Sequence, residues 1–354
     1  MATAKIIGTG LYAPGEPIGN EELKRLAGVE FDSVKLEGKI GILSRHIAKL
    51  RGLDESAADF AERASRAALT DAGVDAQEVG LFIVATDTPE YVSPATAILL
   101  QGRLQGGERE AEAFDVGASC ASFVTALDVA ARRHATDPSL RYSLVVGLYN
   151  MPAHVRPGDP FGFSIFADGA GAVLLERSEG EIGAGTANDG TSASERGAKA
   201  RSGYVEGCFR ADGTQWDYVG VYSGGARKPV TRELLERGEY GLENLKRLPG
   251  DRNLKLWPPL VLRLLEKANY PQASVSHYIF TQINRSVIVD VMAALGESMD
   301  KTTMVMDRYG YTGSACVPMA LHEARSSGRV KSGDALVLVA SGAGFAVGAN
   351  LLIL

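Results

Sequence analysis

Residues 113–131 read AFDVGASCASFVTALDVAA, and the order of these side chains decides how this part of the chain folds. An apolar run ends at Val116, three small residues follow, and a helical pattern begins after Cys120. This order predicts a strand that turns sharply into a helix and holds Cys120 at the turn. The positive end of a helix favours a thiolate over a thiol, so Cys120 is a candidate nucleophile. The alternative is a buried cysteine that packs as a small hydrophobic side chain.

The composition is that of an ordinary globular protein. The 354 residues are 45% hydrophobic and 23% charged, which is enough for the core of one large or two medium domains. The net charge of -6 argues against a general affinity for nucleic acid or anionic membranes. No apolar stretch reaches the length of a membrane span, and the N-terminus lacks the pattern of a signal peptide. We therefore expect a cytoplasmic protein.

Cysteine usage agrees with that compartment. Cys120, Cys208 and Cys316 show neither the spacing of a disulfide framework nor that of a metal site. We expect free thiols and no metal.

Strand-like and helical patterns alternate along the chain. Strand-like runs at 81–86 and 143–147 are interleaved with helical patterns near 94–104 and 121–135. This alternation indicates an α/β fold.

The second half of the chain repeats the first. Four segments recur in the same order: LFIVAT (81–86) as HYIFTQ (277–282), SCASFVTAL (119–127) as GSACVPMAL (313–321), YSLVVG (142–147) as DALVLVASG (334–342), and ADGAGAVLLE (167–176) as AVGANLLIL (346–354). Two copies of one α/β unit predict two pseudo-symmetric halves, 1–180 and 181–354, whose matching strand ends meet at a shared crevice.

Five motifs in this order resemble the thiolase superfamily, and within it the β-ketoacyl carrier-protein synthase III-like group. They are IGILSRHIA (40–48), PATAILLQGRLQG (94–106), DVGASCAS (115–122), FADGAGAVLLE (166–176) and ASGAGFAVGA (340–349). The resemblance implies a five-layered αβαβα fold and a homodimer. It also implies that Cys120 accepts an acyl group from a thioester.

Attack of a thiolate on a thioester builds an oxyanion, which needs two hydrogen-bond donors placed in advance. The resemblance implies that these are the backbone N–H groups of Cys120 and Ala343, with Ala343 held between Gly342 and Gly344. The alternative for these glycines is a tight connection between two strands, and both roles are compatible because glycine allows close backbone approach.

The chain departs from the family at two positions. Members that condense use a histidine in HQAN and an asparagine in GNTSAAS to stabilise an enolate. Here the first motif reads Thr281 to Asn284, with its asparagine retained, and Tyr311 stands where the second asparagine would be. A threonine hydroxyl cannot act as an imidazole base near neutral pH. Tyr311 either donates a hydrogen bond to the substrate or fills the space of the missing imidazole.

His154 is the histidine with a candidate catalytic position. It lies in the connection before FADGAGAVLLE, which in this fold runs near the pocket, whereas the other four histidines belong to elements where a structural role is expected. The alternative is an ordinary loop histidine.

The resemblance also implies substrate contacts. Ser93 precedes the PATA proline, a position that reaches into the partner's acyl pocket, and its small side chain leaves room for a longer or branched acyl group. Phe166 is a further candidate substrate-binding residue. Lys39 stands where an arginine contacts phosphate, although Lys39 and Lys35 also suit a solvated basic loop. The resemblance implies that the substrate is an acyl-CoA or acyl carrier protein thioester, and we expect no further cofactor.

Two further segments bear on the function of the chain. IIGTGLYAPG (6–15) resembles a dinucleotide loop, but Pro14 and Gly15 stand where a helix should begin, so we exclude a nucleotide. Residues 186–256 are longer than a core connection needs, and we expect them to cap the pocket.

These observations favour an acyltransferase of the synthase III type, in fatty-acid, polyketide or secondary metabolite biosynthesis. Cys120 would be acylated from a thioester and would pass the acyl group to a hydroxyl, amine or thiol acceptor. One alternative is a decarboxylative condensing enzyme with a rearranged acid/base set. The other is a non-catalytic partner subunit of an active synthase.

Overall fold

The computed structural model describes residues 2–179 and 202–354. Its strands, in chain order, are β1 (Ala2–Tyr12), β2 (Ile18–Gly19), β3 (Ser44–Arg45), β4 (Val79–Ala85), β5 (Glu112–Val116), β6 (Tyr142–Tyr149), β7 (Gly169–Glu179), β8 (Gly203–Gln215), β9 (Val219–Val221), β10 (Leu242–Asn244), β11 (His277–Phe280), β12 (Ala335–Gly342) and β13 (Gly344–Ile353).

The α-helices are α1 (Asn20–Ala27), α2 (Ser33–Lys35), α3 (Ala57–Ala72), α4 (Thr96–Gln105), α5 (Ser122–Thr136), α6 (Pro160–Ile165), α7 (Arg232–Glu236), α8 (Arg252–Ala268), α9 (Arg285–Ala294), α10 (Met306–Tyr309) and α11 (Cys316–Ser326). Shorter helical turns lie at Leu36–Ile40, Lys49–Arg51, Ala76–Glu78, Met151–His154, Gln272–Ser274, Met299–Lys301 and Gly313–Ala315.

Two large sheets share one pattern of pairing. The first has the order β1-β7-β6-β4-β5 and the second the order β11-β12-β13-β8. In the first, β4 and β6 are parallel, and the β6–β7 and β7–β1 pairs are antiparallel. In the second, β11 and β12 are parallel, and the β12–β13 and β13–β8 pairs are antiparallel. The strands that repeat in the sequence therefore hold equivalent places in the two sheets.

The two sheets sandwich a central helical layer. Helices α5 and α11 contact strands of both sheets. Helices α3 and α4 cover the outer face of the first sheet, and α8 covers that of the second. The five-layered αβαβα fold with two pseudo-symmetric halves is confirmed. The division of the chain at residue 180 stays a prediction, and the part of the expected cap at 186–201 lies outside the described residues.

Burial on both faces explains the composition of the central strands. Every residue of β6 is buried, and so is every residue of β4 except Gly80. Strands covered by helices on both faces read as continuous apolar runs rather than as alternating patterns. The sequence therefore located these strands to within two residues.

The glycines of the IIGTG segment allow a helix to lie directly on a strand. A Cβ placed on Gly10 would lie 2.1 Å from the Ala64 carbonyl oxygen, and one on Gly8 would lie 2.3 Å from that of Ala68. Both carbonyls belong to α3, which packs on β1. Close packing of α3 on β1 accounts for these glycines, and the exclusion of a nucleotide stays a prediction.

Candidate active site

Cys120 lies at a sharp turn between β5 and α5. Ser119, just before it, has a φ of 51°, which is rare for a residue with a side chain. Hydrogen bonds within the turn hold it: the Ala118 N–H donates to Ser122 Oγ at 2.8 Å, and the Ser122 N–H donates to the Ser119 carbonyl at 2.9 Å. The Cys120 side chain is partly accessible. The predicted strand-to-helix turn is confirmed.

The C-terminal glycine loop packs directly against this turn. A Cβ on Gly342 would lie 2.2 Å from the carbonyl oxygen of Ala118 and 3.0 Å from the Cβ of Ser119. Gly342 ends β12 and Gly344, with a φ of 121°, begins β13, so Ala343 lies between them beside the nucleophile turn. The two loops predicted to supply oxyanion donors are thus neighbours, and the donor role of their N–H groups stays a prediction.

Two buried tyrosines flank the thiol. The side chains of Tyr149 and Tyr311 both lie beside the Cys120 sulfur and interact with it electrostatically. Phe166 completes an aromatic cluster, with its ring 5.9 Å from that of Tyr311 and 6.0 Å from that of Tyr149. The structure therefore brings the candidate Tyr311 to Cys120, with the candidate Phe166 packed against Tyr311. Sequence reasoning missed Tyr149, although its place at the end of the buried strand β6, near the predicted crevice, was a signal.

Burial controls the ionisation of these groups. It raises the pKa of Cys120 from 9.0 to about 12, the charge of Asp87 adds to this rise, and the hydrogen bond from Tyr311 opposes it. Burial also raises the pKa of Tyr149 and of Tyr311 well above the usual 10.0. A helix N-terminus contributes about 0.3–1 kcal/mol, which is less than one pKa unit, so it does not offset burial here. The resting thiol is protonated at neutral pH.

The residues of the altered HQAN motif make local hydrogen bonds. Thr281 Oγ1 accepts the Ser341 N–H at 3.2 Å. Asn284 begins α9, and its Oδ1 accepts the N–H of Ser286 at 3.0 Å and the hydroxyl of Ser286 at 2.8 Å. Gln282 Nε2 donates to the Thr303 carbonyl at 2.8 Å. Catalytic roles for Thr281 and Asn284 stay predictions.

His154 does not join the thiol's hydrogen bonds. Among the described residues, the side chains bonded to Cys120 are those of Ser119, Tyr149 and Tyr311. His154 ends the turn after β6, where its carbonyl packs against Gly241, and burial lowers its pKa. The other histidines have structural partners: His46 with Gly15, His134 with Ser143, His277 with Thr303 and His322 with Thr9.

The remaining substrate candidates lie at the surface. Ser93 is in an exposed loop beside Val92, which is 92% exposed. Lys39 is exposed in the turn Leu36–Ile40. Their substrate contacts stay predictions.

A cavity of 610 Å³ opens beside the aromatic cluster. Its lining includes Ile165, whose carbonyl accepts the N–H of Tyr311 at 2.9 Å, and Ile283, two residues after Thr281. Residues 244–250 and Arg252 line another side. The volume lies within the range of small-molecule sites. The cavity therefore lies between the described C-terminal part of the predicted cap and Ile283 and Asn284 of the altered HQAN motif, and Cys120 is not among its lining residues.

Residues 2–179 and 202–354 contain neither a metal-binding cluster nor a membrane-spanning helix. No cluster of three or more side chains suited to a metal ion occurs there. No helix in the same ranges is long and apolar enough to cross a membrane.

Comparisons with known proteins agree on one family. The sequence model of the family described as 3-Oxoacyl-[acyl-carrier-protein (ACP)] synthase III matches residues 114–190, and that of its C-terminal part matches residues 265–353. A curated relative, the Beta-ketoacyl-[acyl-carrier-protein] synthase III of Rhodospirillum centenum, is 33% identical over 351 residues, which is 98% of this chain and 98% of the relative.

Solved structures give the same result. The 3-oxoacyl-[acyl-carrier-protein] synthase III of Aquifex aeolicus is 28% identical, with a TM-score of 0.80 over 99% of this chain and 100% of that chain. The priming β-ketosynthase of the R1128 polyketide pathway is 24% identical, with a TM-score of 0.81 over 99% of this chain and 96% of that chain. The second likeness bears on the fold alone.

Proposed function

This chain belongs to the β-ketoacyl-[acyl-carrier-protein] synthase III family, and from that membership we propose that it transfers an acyl group from a thioester through Cys120. The observation that carries the proposal is the position of Cys120: it lies at the start of α5, against the Gly342 loop and the aromatic cluster. The products of the first step are an acyl-Cys120 thioester and the free thiol of the donor.

The chemistry of that step uses the backbone around the thiol. Substrate entry is followed by attack of the Cys120 sulfur on the thioester carbonyl, and the N–H groups of Cys120 and Ala343 stabilise the oxyanion. Tyr311 donates a hydrogen bond to the sulfur, which lowers the pKa of Cys120 and favours the attacking thiolate.

We further propose that the acceptor is a hydroxyl, amine or thiol. A decarboxylating malonyl donor needs stabilisation of an enolate, whereas Thr281 and Tyr311 replace the two side chains that supply it in the family. Decarboxylative condensation is the second candidate, favoured by the family membership itself. The family membership supports a place for this reaction in fatty-acid, polyketide or secondary metabolite biosynthesis.

The donor is an acyl-CoA or an acyl carrier protein thioester. Lys246, Arg247 and Arg252 line the cavity, and their charges suit the phosphate of either carrier. No further cofactor is part of this proposal. The three cysteines are free, which supports a cytoplasmic location.

We also propose a homodimer through the β5 edge of the first sheet. This strand has a neighbour on one side only among the described strands, and the nearby Val92 and Tyr91 are 92% and 53% exposed. An unpaired strand edge beside an exposed apolar loop favours pairing with another chain. Sedimentation equilibrium of the native chain tests it: a monomer at all concentrations contradicts the dimer.

Intact-protein mass spectrometry tests the acyl transfer. The native chain and C120A are incubated with a panel of acyl-CoA and acyl carrier protein thioesters, with C208A as a matched control for a thiol outside the site. We expect a mass increase in the native chain and in C208A, and none in C120A. An absence of adduct from every donor would contradict the proposal and favour the non-catalytic partner. A product formed from a malonyl thioester, lost in C120A, would favour decarboxylative condensation.

A further inference from the structure

Asp87 is a carboxyl group at the nucleophile with one oxygen uncommitted. It lies two residues beyond the end of β4, at the crevice where the strands of the first half end. Its Oδ2 accepts the hydroxyl of Ser119 at 2.9 Å. Its Oδ1 is buried and has no hydrogen-bond partner among the described residues. An unpaired buried carboxylate oxygen is costly, so a structural role alone leaves this arrangement unexplained.

Two other aspartates of the same half show what a structural carboxylate does here. Asp115 accepts the N–H groups of Thr96 and Ala97 at 2.7 and 2.8 Å, which caps α4. Asp168 accepts the Ala48 N–H at 2.8 Å and the Asn150 amide at 2.7 Å. Both oxygens of each group are used. Asp87 differs from them because only one of its two carboxylate oxygens accepts a hydrogen bond.

Ser119 links this carboxyl group to the reacting sulfur. Its Oγ lies 2.9 Å from Asp87 Oδ2 and 3.8 Å from Cys120 Sγ. A hydroxyl has one proton and two lone pairs, so Ser119 can donate to the carboxylate while it faces the sulfur with a lone pair. The φ of 51° at Ser119 holds its side chain between the two groups at a conformational cost. This link is a path for one proton between Asp87 and Cys120.

The surroundings of Asp87 suit a proton acceptor. The titratable groups that face it are Cys120 on the turn and Tyr149 at the end of β6, and Tyr311 lies beside the same thiol. Burial raises the pKa of Asp87 above its usual 3.8, so this carboxylate is a stronger base than an exposed one. No histidine is bonded to Cys120 in the described part of the chain.

We propose that Asp87 is the general base of the second half-reaction and that Ser119 returns the proton to the sulfur. This inference rests on the proposed function, because it needs an acyl-Cys120. The acceptor's X–H bond breaks as X bonds to the acyl carbon, and the proton moves to Asp87. The bond between that carbon and Cys120 Sγ then breaks, and Ser119 passes a proton from Asp87 to the departing sulfur. The products are the acylated acceptor and the Cys120 thiol, with Asp87 ionised again.

The test measures loss of the acyl group separately from its arrival. Cys120 is acetylated with p-nitrophenyl acetate, which needs no thioester pocket, and loss of the adduct is followed by intact mass in D87N, D87E, S119A and native protein. Two acceptors are compared: water, which must be deprotonated, and hydroxylamine, which attacks without a base. D168N is the control for loss of a buried carboxylate outside the site.

We expect D87N to lose the acetyl group to water about 100-fold more slowly than the native chain, the lower end of general-base effects. Its rate with hydroxylamine stays within about twofold, because that attack needs no base. D87E restores part of the hydrolysis, S119A slows it less than D87N, and D168N leaves both rates unchanged. The native hydrolysis rate rises with pH through the raised pKa of Asp87, and D87N lacks that rise.

Contrary outcomes are distinct. If D87N slows the reaction equally with water and with hydroxylamine, Asp87 has a structural role and the inference is overturned. Unchanged hydrolysis in D87N would also overturn the inference. If the nitrophenyl ester acetylates Cys120 but no thioester acylates it, the proposed function is overturned alone. The comparison of D87N with the native chain would still decide whether Asp87 acts as a base. No acetyl adduct on Cys120 from either donor class would overturn both.

Discussion

At the scale of single residues, the site is defined by what surrounds one thiol. The sequence identifies Cys120 through its place at a strand-to-helix turn, and Tyr311 through its position in an altered motif. It identifies neither Tyr149 nor Asp87 as neighbours of that thiol, because Tyr149 ends β6, Asp87 follows β4, and the two approach Cys120 only in the folded chain. Residues far apart in sequence can be assigned to one site only when the topology brings their strand ends together.

Tyr311 is expected to make Cys120 more acidic. In Y311F the phenol that donates to the sulfur is lost, so the pKa of Cys120 should rise and the thiolate fraction should fall. A hydrogen bond to a charged group is worth about 1.5–3 kcal/mol, which predicts alkylation by iodoacetamide at pH 8 at least about tenfold slower. The measurement is the pH dependence of Cys120 alkylation, with Y309F as the control outside the site. A rate in Y311F equal to that of the native chain would mean that Tyr311 only fills space.

At the scale of elements, the site depends on contact between two loops from opposite halves. The turn after β5 and the connection between β12 and β13 touch at Gly342. The repeat predicted that matching strand ends would meet, and the structure shows how closely: the Ala118 carbonyl oxygen occupies space that any side chain on Gly342 would need. The sequence motif indicated that these glycines form a loop. The reason that position 342 must be glycine is a tertiary contact, which the motif does not show.

Gly342→Ala is expected to separate these loops. Its Cβ would lie 2.2 Å from the Ala118 oxygen, so the loop must move and carry the Ala343 N–H away from the oxyanion position. Loss of one oxyanion donor costs about 100- to 1,000-fold in rate. The measurement is the rate of acyl-Cys120 formation. Gly213→Ala is the matched control, because a Cβ there has no neighbour within 4 Å, and equal rates in the two variants would contradict the loop contact.

At the scale of the whole molecule, buried histidines couple folding to pH. Burial lowers the pKa of His134 and of His277 from 6.5 to about 4. The unfolded chain therefore takes up these protons first as the pH falls, and the free energy of unfolding decreases between about pH 6.5 and 4. Asp168, whose burial raises its pKa from 3.8 to about 7, acts in the opposite direction because the folded chain binds its proton first.

H134Q should make the protein less sensitive to acid. Its titrating ring is replaced by a neutral amide that can still bond to Ser143. At about 1.4 kcal/mol per pKa unit, one such histidine accounts for up to about 3 kcal/mol of stability lost toward pH 4. The measurement is urea unfolding of the native chain and of H134Q at pH 4.5, 5.5, 6.5 and 7.5, about one pH unit apart, to span the titration. It compares how steeply the free energy of unfolding of each protein changes with pH. Parallel curves would show that His134 titrates alike in both states.

The sequence by itself determined the fold class, the two pseudo-symmetric halves, the turn that holds the candidate nucleophile, and the glycine loop. These follow from local order: apolar runs mark buried strands, small residues mark a tight turn, and a repeated unit marks pseudo-symmetry. The family followed from the same motifs. Sequence order also showed that an imidazole is missing, because that position can be read directly as Thr281.

Only the tertiary structure decided which groups surround the thiol and how they are charged. Tyr149 and Asp87 reach Cys120 because parallel strands β4 and β6 end at the same edge of one sheet. The protonated state of Cys120 results from burial, which outweighs the helix end that the sequence had suggested. Burial depends on all the layers that close over the site, so desolvation cannot be read from a segment of the chain.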